Sequence, residues 1–115
     1  MGIVTKVIAK LTPLTEVVKT LLAVFDTVED ASQTVSDIIA SGVIPAALEM
    51  MDHLSIQAVE QATRAGYPTD AGAVLLVEVD GLRESVDELS ERVDDICRQH
   101  GAREIRSAST PAERE

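Results

Sequence analysis

Aromatic side chains are nearly missing from this chain of 115 residues: Trp is absent, and Phe25 and Tyr67 are the only Phe or Tyr residues. Stacking platforms for bases, sugars or flavin rings are thereby excluded. Basic residues are also scarce, 10 Lys and Arg against 20 Asp and Glu, for a formal net charge of −10. Residues 1 to 25 carry three lysines against one glutamate, a balance of +2, so the remainder carries −12. That sign repels phosphate and argues against binding of nucleic acid or anionic lipid. A single cysteine, Cys97, permits no internal disulfide, and no Cys/His spacing resembles a zinc site. No apolar run approaches the ~20 residues of a membrane span, and the amino terminus lacks the order of a signal peptide. These absences predict a soluble chain in the reducing cytoplasm, long enough for one domain with one core.

What is present is a succession of short apolar segments. Six apolar or small positions run from Gly72 to Val77 within Ala71–Gly81 and end at Asp80-Gly81, which reads as a central strand buried on both faces. Residues 20 to 26 read as a second central strand. Residues 2 to 11 alternate Lys6 and Lys10 with Val7, Ala9 and Leu11 and read as a strand closed by Thr12-Pro13. Residues 43 to 51 read as a strand whose Pro45 cannot donate to a ladder, which places it at a sheet edge. A last strand is expected from Arg103 to about Ala108.

Three helices separate these strands. Thr27, with Asp30 three residues on, predicts a capped helix running to about Ser41 and stopped by Gly42. Asp52 caps a helix from about His53 to Ala65, with either Leu54, Ala58, Ala62 and Ala65 or Ile56 and Val59 facing inward. After Gly81, Leu82, Val86, Leu89, Val93, Ile96 and Cys97 form the apolar stripe of a helix closed by Gly101. With residues 2 to 11 set aside and the helix at 53 to 65 taken as an insertion, residues 20 to 108 read βαββαβ. The expectation is an α+β, ferredoxin-like sandwich with an extra N-terminal strand and an inserted helix. Right-handed crossovers then set the strands at 20–26 and 71–81 side by side in the middle. Thr110-Pro111-Ala112-Glu113 reads as the start of a further helix, so both ends predict a segment of a longer protein.

Candidate chemistry is sparse. Glu78 and Asp80, two apart on a strand, share one face and an exposed end, but acid/base work would need a partner that the neighbouring sequence does not supply. His53 and His100 sit at helix termini without metal-ligand spacing, and Cys97 lies on an apolar stripe, so neither metal nor nucleophilic chemistry is expected. Glu84, Asp87, Glu88, Glu91, Asp94 and Asp95 form the wet face of their helix. No phosphate loop or nucleophile elbow occurs.

Gly-Ile-Val-Thr-Lys-Val-Ile-Ala-Lys-Leu-Thr-Pro-Leu at the start, Pro45 to Asp52, Ala65-Gly66-Tyr67-Pro68 and Leu75 to Gly81 resemble the FAD-linked oxidases of the vanillyl-alcohol-oxidase type. Within that family the resemblance points to the FAD-linked subunits of glycolate oxidases, with D-lactate dehydrogenases next. It implies that residues 1–15 end a flavin domain and form a linker, with the backbone of Gly2, Ile3 and Val4 against FAD. Residues 16–115 would then be a truncated cap domain of ferredoxin-like core, Ile44 to Gly81 being scaffold. Thr15 stands where the family usually has Pro. The flavin domain with its pyrophosphate loop, the substrate arginine and the His-rich metal and acid/base cluster would lie outside the chain. The resemblance therefore implies an FAD-dependent parent oxidising glycolate or D-lactate, and a segment inactive by itself that does not bind FAD. The fold alone equally allows a free-standing binding or regulatory module. An unpaired strand at residues 2 to 11 further predicts a homo-oligomer joined through that strand.

Overall fold

The computed structural model describes residues 16–111, so the strand expected at residues 2 to 11 lies outside the described residues. The order of elements is β1 (Glu16–Phe25), α1 (Val28–Ala40), β2 (Ala47–Asp52), α2 (His53–Thr63), β3 (Ala73–Leu82), α3 (Arg83–Gln99) and β4 (Glu104–Pro111). The four strands form one antiparallel sheet in the order β2-β3-β1-β4. This is the ferredoxin-like arrangement, with the two strands read as central in the middle and α2 as the insertion.

Alternation along the two ten-residue central strands divides the protein into layers. Leu21 opposes Val77, Ala23 opposes Leu75 and Phe25 opposes Ala73. These odd-numbered residues pack against Ala31 and Ile38 of α1 and against Val86, Val93, Ile96 and Cys97 of α3, in one core along the two central strands. The even-numbered residues face the other way. There only one end is covered: Val24 and Val74 pack with Ile56 of α2 and Ala71, flanked by half-buried Leu22, Met51 and Tyr67.

Local chemistry accounts for the helix ends. Thr27 Oγ1 accepts from the Asp30 amide at 3.1 Å, and Glu29 and Asp30 lie in the first turn of α1. Asp52 caps α2 by accepting from the Ser55 amide at 2.8 Å. Helix α3 starts without a side-chain cap, so its place rests on burial of its stripe rather than on its first turn. Gly72 is required for a different reason. It donates to the Phe25 carbonyl, and a Cβ there would stand 1.9 Å from the Asp26 carbonyl oxygen.

Several expectations shift. Strand β1 begins at Glu16 rather than Thr20, because β-branched Val17 and Val18 extend the ladder. Strand β2 begins at Ala47, so Pro45 precedes the edge strand instead of lying within it. Burial on both faces of β3 holds only across Ala73, Val74 and Leu75; beyond them Val77 and Val79 are buried while Glu78 is half-buried and Asp80 exposed. Leu82 ends β3 and is exposed, not part of the α3 stripe. Of the two inward faces open to α2, the structure has Ile56 and Val59. Thr110 and Pro111, read as a helix start, instead complete β4 opposite Val18 and Val17, and the rest of that expected helix lies outside the described residues.

Candidate functional site

The half of the sheet that α2 leaves uncovered is built from three rows of opposed residues. Nearest α2, Glu49, Leu76, Leu22 and Arg106 cross the four strands. Next come Ala47, Glu78, Thr20 and Ala108, and then Asp80, Val18 and Thr110. The central members Leu22, Leu76, Thr20, Val18 and Glu78 are half-buried, whereas Glu49, Asp80, Arg106 and Ala108 are exposed. Strand alternation produces this face: every second residue is taken by the helix-covered core, and what remains is a mixed apolar and acidic floor. Glu78 and Asp80 do share a face, as their spacing predicts, with Thr20 and Val18 directly beside them.

Fixed polar contacts border the floor. Arg106 Nε donates to Glu104 Oε2 at 2.6 Å, and Nη1 donates to the Gly66 carbonyl at 2.9 Å. That hydrogen bond and the guanidinium hold the Glu104 carboxyl below the usual carboxylate range. The loop between α2 and β3 is pinned from the other side, since Glu60 accepts from the Gly66 and Tyr67 amides at 2.8 to 3.1 Å. At the sheet end, Arg103 bridges Asp70 at 2.9 Å and Asp26 at 3.2 Å, joining the start of β4 to the turn that follows β1 and the loop that precedes β3. Hydrogen bonding to Arg103, reinforced by its charge, lowers the Asp70 pKa.

The other candidate groups lie apart from this face. His53 Nδ1 pairs with the Ala71 carbonyl at 3.0 Å and Nε2 with the Gln57 amide at 3.2 Å. His100 pairs with Asp37 at 2.5 Å, tying the end of α3 to α1 and depressing the Asp37 pKa through that hydrogen bond. The two imidazoles thus serve different elements. Among the described residues no group of three or more His, Cys, Asp or Glu is arranged to hold a metal ion. Cys97 is fully buried in the main core, where desolvation pushes its thiol up to about 12.

A dinucleotide cofactor would need a cradle for pyrophosphate, and the described residues do not fit one. The first turns of α1 and α3 carry Glu29, Asp30 and Glu84, and Asp52 occupies the start of α2, so each helix N-terminus presents a carboxylate where a phosphate would sit. The three rows combine apolar side chains, threonines, carboxylates and one arginine. The uncovered face is a mixed surface of half-buried central and exposed outer residues. Sequence reading placed Glu78 and Asp80 but not the face they belong to. Its signal was the switch from a continuous apolar run to alternation at Leu76-Val77-Glu78-Val79-Asp80, together with the polar run in β4.

Comparison with known proteins places this architecture. The chain is 52% identical over 114 residues to the glycolate oxidase subunit GlcD of Escherichia coli (strain K12), covering 99% of this chain and 23% of that protein. It is 44% identical over 113 residues to the glycolate oxidase subunit GlcD of Bacillus subtilis (strain 168), covering 98% and 24%. A D-lactate dehydrogenase of Anaerostipes hadrus is 29% identical over 119 residues, covering 97% and 25%. The chain therefore spans about a quarter of the length of the curated relatives it matches. Among solved structures, an alkyldihydroxyacetonephosphate synthase superposes with a TM-score of 0.56 at 18% identity, covering 84% of this chain and 19% of that one, a likeness of fold. With residues 14–115 matching the family described as FAD linked oxidases, C-terminal domain, this chain belongs to that family.

Proposed function

We propose that this chain is the substrate-side cap portion of an FAD-dependent 2-hydroxy-acid oxidoreductase acting on glycolate or D-lactate, and that it is inactive by itself. The observation that carries this reading is 52% identity along 99% of the chain to a glycolate oxidase subunit of which it spans only 23%. FAD, when bound by the parent, takes up the two electrons removed from the hydroxyl-bearing carbon. Residues 16 to 111 contribute position and exclusion of water instead: the three bare rows from Glu49 to Thr110 lie against the flavin-bearing part of the polypeptide, and the helix-covered face stays outward. Residues 1–15 end that flavin domain and link it to the cap, with Gly2, Ile3 and Val4 at the cofactor. No helix among the described residues is long and apolar enough to cross a membrane, and the lone thiol fits a reducing cytoplasm. Taken alone, the chain associates with a second copy through residues 2 to 11.

Isothermal titration of this chain with FAD and with glycolate should show no binding. The full-length polypeptide should carry a flavin spectrum that glycolate or D-lactate bleaches. Micromolar binding of FAD by the 115 residues alone, or a full-length protein without flavin, would overturn the reading. Light scattering on the chain with and without residues 1 to 12 tests association, which fails as a proposal if the intact chain is a monomer.

A further inference from the structure

Helix α2 turns one fully buried residue, Ile56, to the sheet, with Val59 half-buried beside it. Its second apolar stripe is left on the side turned away: Leu54, Ala58 and Ala62, spaced by four, are all exposed, Leu54 by 73%. The surface around that stripe carries no charge. Between Leu54 and Thr63 the other exposed residues are Ser55, Gln57, Gln61 and Thr63, and the Glu60 carboxylate is taken up by the Gly66 and Tyr67 amides. Helix α3 shows how this chain solvates a helix, with Glu84, Asp87, Glu88, Glu91, Arg92 and Asp95 on its exposed side. A helix that is apolar toward the sheet and uncharged away from it has the composition of a layer between two others, because the centres of interfaces are depleted of charge.

Beside the stripe lies a cleft of about 580 Å³ lined by Gln57, Glu60, Gln61, Arg64 and Thr69. Arg64 is the one residue other than glycine with a positive φ among the described residues, at 53°, and its amide donates to the Glu60 carbonyl at 2.8 Å. Its guanidinium forms no ion pair among the described residues. With Glu60 engaged by the loop amides, the cleft holds a cation whose counter-charge is not supplied from within.

We propose that the outer face of α2 is a docking surface for the part of the flavoprotein polypeptide outside this chain, which lays apolar side chains on Leu54, Ala58 and Ala62 and sends a carboxylate into the cleft to meet Arg64. The proposal rests on the reading of the chain as a cap portion, and the quarter of its relatives' length that it spans leaves ample polypeptide to supply that surface. Helix α2 stands on the same side of the sheet as the bare rows, so one body covers both. The alanines let its backbone come close to the helix axis. A second copy fits less well. Eleven residues make a helix about 16 Å long, too little by itself for the roughly 1,200 Å² of a stable interface, and the copy would bring a charge of −10 against −10.

Thiol labelling of an Ala58→Cys variant tests this, in the 115-residue chain and in the full-length polypeptide, with each rate taken over that of the unsubstituted protein. Cys97 is buried and does not compete. Ala58 is exposed and the substitution is small, so the variant is not expected to unfold the chain. A disulfide reagent should react at least about tenfold more slowly with the variant in the full-length protein, while Glu88→Cys, on the solvated side of α3, reacts equally in both. Adding Arg64→Asp should raise the full-length Ala58→Cys rate by at least about threefold, and Arg64→Lys should not. Amide exchange of residues 53 to 65 in the unsubstituted proteins is the second readout and should slow in the same way. Equal labelling and exchange in the two forms overturn the proposal, as does equal slowing at positions 58 and 88. Slowing in the 115-residue chain that grows with its concentration also overturns it, and assigns the face to a second copy. An Arg64→Asp variant without effect removes the carboxylate. A full-length protein that holds flavin but labels fast refutes the docking alone; one without flavin refutes the reading beneath it.

Discussion

Replacing Gly72 with alanine should be among the most damaging single-methyl additions to this domain. The added carbon would stand 1.9 Å from the Asp26 carbonyl oxygen, 2.5 Å from its carbon and 2.9 Å from the Thr27 amide nitrogen, whereas ordinary contact begins at 3.4 Å. All three neighbours are backbone, so no side chain can swing aside. The start of β3 must retreat by about 1.5 Å from the end of β1 to reach ordinary separation. Ala71, Ala73 and Phe25, all fully buried, stand on either side of that contact. Retreat also breaks the 3.0 Å bond from the Gly72 amide to the Phe25 carbonyl. A strained core insertion costs roughly 1–3 kcal/mol and a lost buried hydrogen bond about 1 kcal/mol. The sum, about 2–4 kcal/mol, is a large share of the 5–15 kcal/mol typical of whole domains. Urea denaturation should show the midpoint falling by about 1–2 M for a slope of ~2 kcal/mol/M. Gly42→Ala is the control: its φ of 93° is unfavourable for alanine, but nothing lies within 4 Å, so it should lose only about 1 kcal/mol. A Gly72→Ala midpoint within ~0.3 M of the parent, or equal to that of Gly42→Ala, would refute the steric account.

Thr27→Ala removes the acceptor for the Asp30 amide and should lower stability by about 1 kcal/mol in the same assay, with Thr27→Ser recovering most of it. Asp37, Asp52, Asp70 and Glu104 are all held below their ordinary pKa, chiefly by hydrogen bonds from His100, Ser55, Arg103 and Arg106 respectively. Depressed carboxylates contribute stability above their unfolded values near ~4 and lose it as pH falls through the lower folded values, so urea midpoints should drop below about pH 4. His100→Ala should make that acid-side loss shallower by releasing Asp37. Cys97, its thiol pushed up to about 12, should resist a disulfide reagent at pH 8 in the native chain and react promptly in urea; fast native reaction would contradict its burial.

The core was legible where the periodicity was plain. Leu21, Ala23, Phe25, Ala73, Leu75 and Val77 lie in short apolar strands, and Val86, Val93, Ile96 and Cys97 step along a helix, so composition and spacing alone order these elements. Strand ends were less legible. Glu16 and Lys19 lie outside the strand expected from Thr20, yet pairing with β3 from Glu16 and with β4 from Val17 carries β1 through them. Pro111 reads as a first helical residue because Thr110 precedes it, but the ladder to Val17 prevails, and a terminal strand position tolerates a missing donor. The bare face was hidden for another reason: it depends on where α2 lies, and a helix of modest amphipathicity between two strands does not declare which face it will cover. Nor did the sequence show the close approach at Gly72, since that glycine has an ordinary φ and is distinguished only by what lies opposite.

Helix α2 also gives the sheet a step. It lies over Val24 and Val74 at one end, and a helix with its side chains is roughly 10 Å across, so the rows from Leu22 to Val18 form a low terrace beside a wall about that high. Tyr67, half-buried at the foot of the wall, and the loop stapled by Glu60 and Arg106 keep that wall upright. A body resting on the terrace can slide away from α2 but not toward it. One direction of travel is thus closed before any side chain on the approaching surface is specified, and the distance from any covered group to Leu22 or Thr20 is gauged from a helix rather than from a loop.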